Sequence, residues 1–167
     1  GQGMARGSAA AARAARQAAE RQGGARTVLA AAADSWADRA GGTSGALWGE
    51  GLRAFSAAFD DETRPNARQL ADGARRMLDR IQALGGAKPG DKTLIDALAP
   101  FVDTLDAGLA AGQALPLAWQ KAAEAAHDAA EKTRDLLPRL GRARIHGERS
   151  KGHPDAGALS MALAARV

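Results

Sequence analysis

The chain is 167 residues long, 46% hydrophobic but only 4% aromatic, with no cysteine and a formal charge of +4. That length suits one domain with a real core. The scarcity of aromatics points to closely packed helices, and the lack of cysteine excludes a disulfide framework or thiolate metal site. No apolar run is long enough to span a bilayer and no signal peptide opens the chain, so a soluble, cytoplasmic protein with no membrane partner is expected.

Residues 4–22 read as an alanine-rich helix with Arg13, Arg16 and Arg21 on its wet side, ended by Gly23 and Gly24. A second helix covers 26–40, with Val28, Leu29, Ala32 and Trp36 at helical spacing. The run 41–45 breaks it and starts a third helix, on which Trp48, Leu52, Phe55 and Phe59 share a face. After the polar turn 60–64, Pro65 suits the first turn of a fourth helix with the stripe Leu70, Ala74, Met77, Ile81 and Leu84. Residues 85–90 form a tight loop. Asp91 is a good N-cap for a fifth helix carrying Leu94, Leu98, Phe101, Leu105 and Leu109. A sixth helix covers about 115–137, with Trp119 and a smooth alanine seam. The loop 141–153 follows, and a last helix starts near Pro154.

Seven helices and no convincing strand make the chain all-α, an antiparallel helical barrel or bundle joined mostly by short loops. The junctions 41–45, 85–90 and 141–153 are separated by two helices each, so all three are expected at one end. The run from Gly141 to Ser160 concentrates Arg142, Arg144, Arg149, His146, His153, Asp155 and several glycines ahead of a helix start. A helix N-terminus with free N–H groups and neighbouring arginines suits an anion. Thr43 and Ser44 sit at another helix start, where hydroxyls can cradle phosphate. Each feature also has an ordinary structural explanation: glycines end helices, Thr or Ser caps them, and glycines 45, 49 and 51 allow close helix approach. Their shared end favours a phosphate or nucleotide site.

Other chemistries find less support. His146, His153 and Asp155 match no common metal-ligand spacing, His127 sits mid-helix among alanines, and there is no nucleophilic triad and no Walker-type loop. The basic residues are spread along the chain, several within reach of carboxylates as Asp128 is of Lys132, and none interleave with aromatics. Nucleic acid is therefore not an expected partner.

Three segments together resemble a known family. Gly41-Gly-Thr-Ser-Gly-Ala-Leu-Trp-Gly49, Lys88-Pro-Gly-Asp-Lys-Thr-Leu-Ile-Asp-Ala-Leu98 and Gly141 to Ser160, with its string Gly-Glu-Arg-Ser-Lys-Gly-His-Pro-Asp, resemble the ATP-binding subunit or domain of dihydroxyacetone kinases, in order and over essentially the whole chain. The resemblance implies a barrel of eight antiparallel helices with nucleotide and magnesium at one end. It implies ATP or ADP contacts at Thr43 and Ser44, at Gly85, at Leu94 near the base, at Arg142, and at Asp155, Ala156 and Gly157. Gly1, Gln2 and Gly3 would be the tail of the first phosphate loop. The implied activity is phosphoryl transfer to dihydroxyacetone or a related short ketose, from ATP or from an ADP re-phosphorylated by a phosphotransferase protein. The ketose would sit on a separate K-type domain or subunit, held covalently through a histidine. A homodimer is left open.

One departure from the family pattern bears on chemistry. The family's Gly-Asp-x-Asp-His-Gly loop, whose aspartates hold magnesium, would precede residue 1, and the first helix with it. The chain on its own is therefore expected to lack metal ligands and catalytic residues, and to be inactive. The alternative is a non-catalytic helical interaction domain.

Overall fold

A computed structural model describes residues 2–140 and 142–166, without the side chains of Arg142, Ala143, Ile145 and His146. The seven expected α-helices are present: α1 (Gln2–Glu20), α2 (Ala25–Ala40), α3 (Gly42–Ser56), α4 (Ala67–Gly85), α5 (Ile95–Ala110), α6 (Leu115–Lys132) and α7 (Ala156–Ala165). Among the described residues there is no strand. The chain divides into two compact units, residues 1–85 and 86–167.

In the first unit α1 packs on α2, α2 on α3 and α3 on α4. Small residues set the spacing. A Cβ at Gly49 would lie 2.7 Å from the Cβ of Ala37, so α2 and α3 touch backbone to backbone. Trp36 and Trp48 fill the adjoining space, stacked with ring centroids 5.2 Å apart. The turn 60–64 does more than connect helices. Asp61 reaches back to α2, whose own N-cap, Gly24, has no side chain to offer. The Asp61 carboxylate accepts from Thr27 N at 2.8 Å and from Thr27 Oγ1 at 2.6 Å. It thus supplies the missing cap from another part of the chain. These bonds from Thr27 hold the Asp61 carboxyl below the usual carboxylate range. Asp60 is lowered in the same way by bonds from Thr63 and Glu62. Arg26 donates to Phe59 O at 2.7 Å, and a Cβ at Gly24 would fall 2.2 Å from Asp61 Cα, so no larger residue fits there.

In the second unit α5 is the central element. Ile95, Ala97, Leu98, Phe101, Val102 and Leu105 are all buried, on more than one face of the helix, and both α6 and α7 pack against it. Ala118, Ala122, Ala126 and Ala130 form the expected seam on α6, each fully buried at four-residue spacing. Trp119 packs edge-on to Phe101, with centroids 4.9 Å apart, and donates to Ala165 O at 2.8 Å.

Several expected boundaries move. Pro65 lies before the α4 cap, which is Asn66. Its Oδ1 accepts from Gln69 N at 2.9 Å while Gln69 Oε1 accepts from Asn66 N at 3.1 Å, a reciprocal capping pair. Phe59 lies past the end of α3 but is buried, whereas Leu52 and Phe55 are half-buried. Asp91 does not cap α5. Its carboxylate accepts from Lys88 N at 2.8 Å and closes the preceding turn. The α5 entry is instead set by Thr93 and Asp96, Thr93 N donating to Asp96 Oδ2 at 2.7 Å and Ile95 N to Thr93 Oγ1 at 3.2 Å. The sixth helix stops at Lys132 and continues as a 3₁₀ turn, Thr133–Asp135. Residues 142–150, expected as loop, are wound into 3₁₀ turns, broken at Gly147 with φ 39° and ψ −120°.

The core supports a direct test. Leu105 is fully buried, whereas Leu163 is 64% exposed. Leu105→Ala is expected to destabilise by about 2–5 kcal/mol and Leu163→Ala by less than about 0.5 kcal/mol. Urea denaturation of both variants checks this, and equal effects would contradict the core assignment.

Candidate functional site

Each unit gathers its own share of the expected site residues. In the first unit the gathering point is Ala40. A Cβ at Gly3 would sit 2.8 Å from Ala40 O, and a Cβ at Gly45 would sit 2.9 Å from Ala40 Cβ. The start of α1, the end of α2 and the start of α3 therefore meet, which brings Gln2 and Gly3 beside the turn bearing Thr43 and Ser44. Gly85 ends α4, and a Cβ there would be 3.5 Å from Leu47 Cδ2 on α3. Gly1 lies outside the described residues.

Thr43 and Ser44 are exposed residues of the first turn of α3, not its cap. The cap position is Gly41, and no side chain there satisfies the first N–H groups. The ordinary capping explanation for these hydroxyls does not apply. Thr43 and Ser44 thus put two hydroxyls on the opening turn of a 15-residue helix whose first N–H groups no side chain caps.

The second unit assembles Leu94, Asp155, Ala156 and Gly157. Asp155 caps α7, its Oδ2 accepting from Ala158 N at 2.8 Å. Gly157 lies against Leu94, where an added Cβ would be 3.4 Å from both Leu94 Cβ and Leu94 N. Ala156 is exposed at the helix start, and Leu94 is buried. Arg142 opens the 3₁₀ segment, but its side chain, like that of His146, lies outside the description. Arg144, Arg149 and His153 are exposed.

Three buried polar residues hold this region, and none was singled out from sequence. Thr133 is 1% exposed; its Oγ1 donates to Ala130 O at 2.6 Å and accepts from Asp155 N at 2.7 Å. Asp96 accepts from Gly90 N at 2.5 Å as well as from Thr93 N. Lys92, 4% exposed, donates from Nζ to Leu136 O at 3.1 Å and to Ser150 O at 2.7 Å. The pattern Thr93-x-x-Asp96 was a legible capping signal. Nothing in the sequence marks Lys92 as buried.

Burial raises the Asp155 carboxyl above the ordinary carboxylate range. Bonds from Ala158 N and Gly157 N pull it down, Asp96 pushes it up and Lys92 pulls it down, but burial is the largest effect. Magnesium finds no fitting ligand set here. Among the described residues no three His, Cys, Asp or Glu side chains come together, and Asp96 and Asp155 already serve N–H groups.

Comparison with known proteins adds family-level information. The DAK2 domain model matches residues 1–167. The chain is 53% identical, over 98% of its length, to an L-erythrulose kinase of Pectobacterium atrosepticum, of which it covers 28%. It is 35% identical over 72% of its length to the ADP-binding subunit of the PEP-dependent dihydroxyacetone kinase of Escherichia coli, covering 58% of that subunit. A crystal structure of the dihydroxyacetone kinase of C. freundii with AMP-PNP and Mg2+ superposes with a TM-score of 0.62 at 28% identity, over 95% of this chain and 26% of that one. The chain thus spans less than a third of the erythrulose kinase it matches.

The raised Asp155 carboxyl fixes the sign of a pH effect. The folded form holds this proton more tightly than the unfolded chain, so its contribution to stability is complete below the unfolded value. It is lost as pH rises through the raised folded value. Asp155→Asn keeps a capping side chain but cannot titrate. It is expected to remove a decline in stability just above the ordinary carboxylate range, read as the difference between variant and wild-type urea midpoints across pH. Asp155→Ala should also lose the cap, about 1 kcal/mol. A difference that does not change with pH for Asp155→Asn would contradict the assignment.

Proposed function

The chain belongs to the DAK2 domain family, and from this premise we propose that it is the nucleotide-binding domain of a kinase acting on a short ketose. The phosphoryl donor is ATP, or an ADP re-phosphorylated by a phosphotransferase protein. The acceptor is dihydroxyacetone or a four-carbon ketose such as erythrulose, the latter supported by the 53% identity to an L-erythrulose kinase.

The observation that carries the reading is the α3 start, where Thr43 and Ser44 are exposed and spared from capping. A phosphate chain needs N–H and O–H donors that the fold does not already use. In this reading Gly1, Gln2, Gly3, Thr43, Ser44 and Gly85 are the nucleotide contacts of the first unit. Leu94, Arg142, Asp155, Ala156 and Gly157 are those of the second, with Leu94 under the base and Arg142 on the phosphates. Loose phosphoryl-transfer transition states ask mainly for positioning and charge stabilisation. In that chemistry the part of this chain is to bind and orient the phosphates.

The ketose belongs elsewhere in this reading. A K-type domain or subunit would present the ketose, with the exposed Arg144, Arg149 and Lys151 available to align it.

Two measurements test the proposal. In the full-length protein Arg142→Ala is expected to weaken ADP binding by about 1.5–3 kcal/mol, the range for a charge-assisted hydrogen bond. Arg13→Ala, on the exposed face of α1, should leave it unchanged. Calorimetry with ADP reads both, and equal small effects would count against the site. The 167-residue chain, supplied with a ketose-binding partner, is expected to show negligible ketose phosphorylation. Saturable dihydroxyacetone binding without a partner would overturn the division of roles.

A further inference from the structure

Lys92 combines two unfavourable features. Its backbone is left-handed, with φ 61°, a conformation rarely adopted by residues other than glycine, asparagine or aspartate. Its side chain is 4% exposed, so an ammonium group has been taken out of water. Strain and a buried charge at one residue persist only where the surroundings over-determine them, and such residues cluster at functional sites.

The surroundings show what the residue holds. Nζ donates to Leu136 O at 3.1 Å, to Ser150 O at 2.7 Å and, more weakly, towards Ser150 Oγ at 3.4 Å. One group therefore fastens the turn before α5 to the segment after α6 and to the end of the 3₁₀ segment. Neighbouring bonds continue the fastening towards α7: Ser150 Oγ donates to Gly147 O, Gly152 N to Arg134 O, and Asp155 N to Thr133 Oγ1. Lys92 is two residues from Leu94. Arg142 opens the segment that ends at Ser150, and Asp155, Ala156 and Gly157 follow it.

The charges agree with the geometry. Asp96 and Asp155 put negative charge beside the α7 start, and Lys92 opposes it at Asp155. Asp96 pushes in the other direction. Lys92 thus offsets part of the negative charge that a phosphate would meet at the α7 start.

We propose that Lys92 is a positioning residue for nucleotide binding. It acts through Ser150 and Asp155, holding the 3₁₀ segment and the α7 start in one arrangement, and it does not touch the nucleotide. This rests on the nucleotide-binding role proposed above.

The test uses the full-length protein with Lys92→Met, which keeps length and removes charge and donors, and Lys92→Arg, which keeps the charge. Thermal midpoints, ADP dissociation constants and the KM values for ATP and for dihydroxyacetone are measured. Lys92→Met is expected to raise the ADP dissociation constant and the ATP KM about tenfold or more, leaving the ketose KM within twofold. Lys92→Arg is expected to recover part of that loss. Nucleotide constants within twofold of wild type in a folded Lys92→Met variant would overturn the proposal, as would equal rises in both KM values. Should Lys92→Met not fold, the same criteria apply to Lys92→Arg; failure of both to fold would assign Lys92 a purely structural role. A wild-type protein that does not bind ADP would instead remove the function proposed above, a result distinct from any difference between variants.

Discussion

The close approach of helices through alanine and glycine is the constraint on which the rest of this structure depends. With few aromatic residues, the chain cannot fill wide gaps between helices. It narrows the gaps instead. Gly49 meets Ala37 across the α2–α3 interface, and the four fully buried alanines of α6 form a smooth row. Dispersion contacts fall off over fractions of an ångström, so these interfaces are stable only if the small residues stay small. The same constraint reaches the functional end, because the approach of Gly3 and Gly45 to Ala40 is what places the start of α1 beside Thr43 and Ser44.

Helix termini then divide into two kinds. Some are closed by side chains, as α4 is by Asn66 and Gln69, and as α2 is by the distant Asp61. The start of α3 is left open by Gly41. An open terminus leaves N–H groups to water or to an anion. At α7 the situation is mixed. Asp155 caps the helix, yet burial raises its carboxyl, so the group is held less firmly as an anion than an exposed aspartate would be.

The helices were legible in the sequence because their signals are local: hydrophobic period, glycine stops, and proline near starts. All seven appear, and Trp48, Leu98, Phe101 and Leu105 are buried as expected. What was misjudged depends on partners far along the chain or on competition between neighbours. Asp91, Thr93 and Asp96 are all plausible caps by residue type; the left-handed Lys92 separates Asp91 from the helix, and Thr93 and Asp96 set its start at Ile95. Asp61 read as a turn residue because its partner Thr27 lies 34 positions away. The glycine loops pointed to a candidate site through their places at alternate helix junctions. Its supporting residues, Lys92, Asp96 and Thr133, escaped notice because polar residues are usually exposed and burial is a tertiary fact.

A nucleotide site that borrows helix starts faces an electrostatic difficulty of its own making. The residues that best cap a helix are often acidic, and an acidic cap sits where an anion would bind. The starts of α3 and α7 differ in this respect. At α3 there is no side-chain cap, so no acidic cap stands in the way of a phosphate. At α7 the cap is Asp155, placed near Asp96 and within the field of Lys92. There the buried ammonium offsets part of the negative charge from beneath while its donors hold the Ser150 backbone in place. The caps therefore set the charge that each of these helix starts presents: none from a side chain at α3, and a partly offset carboxylate at α7.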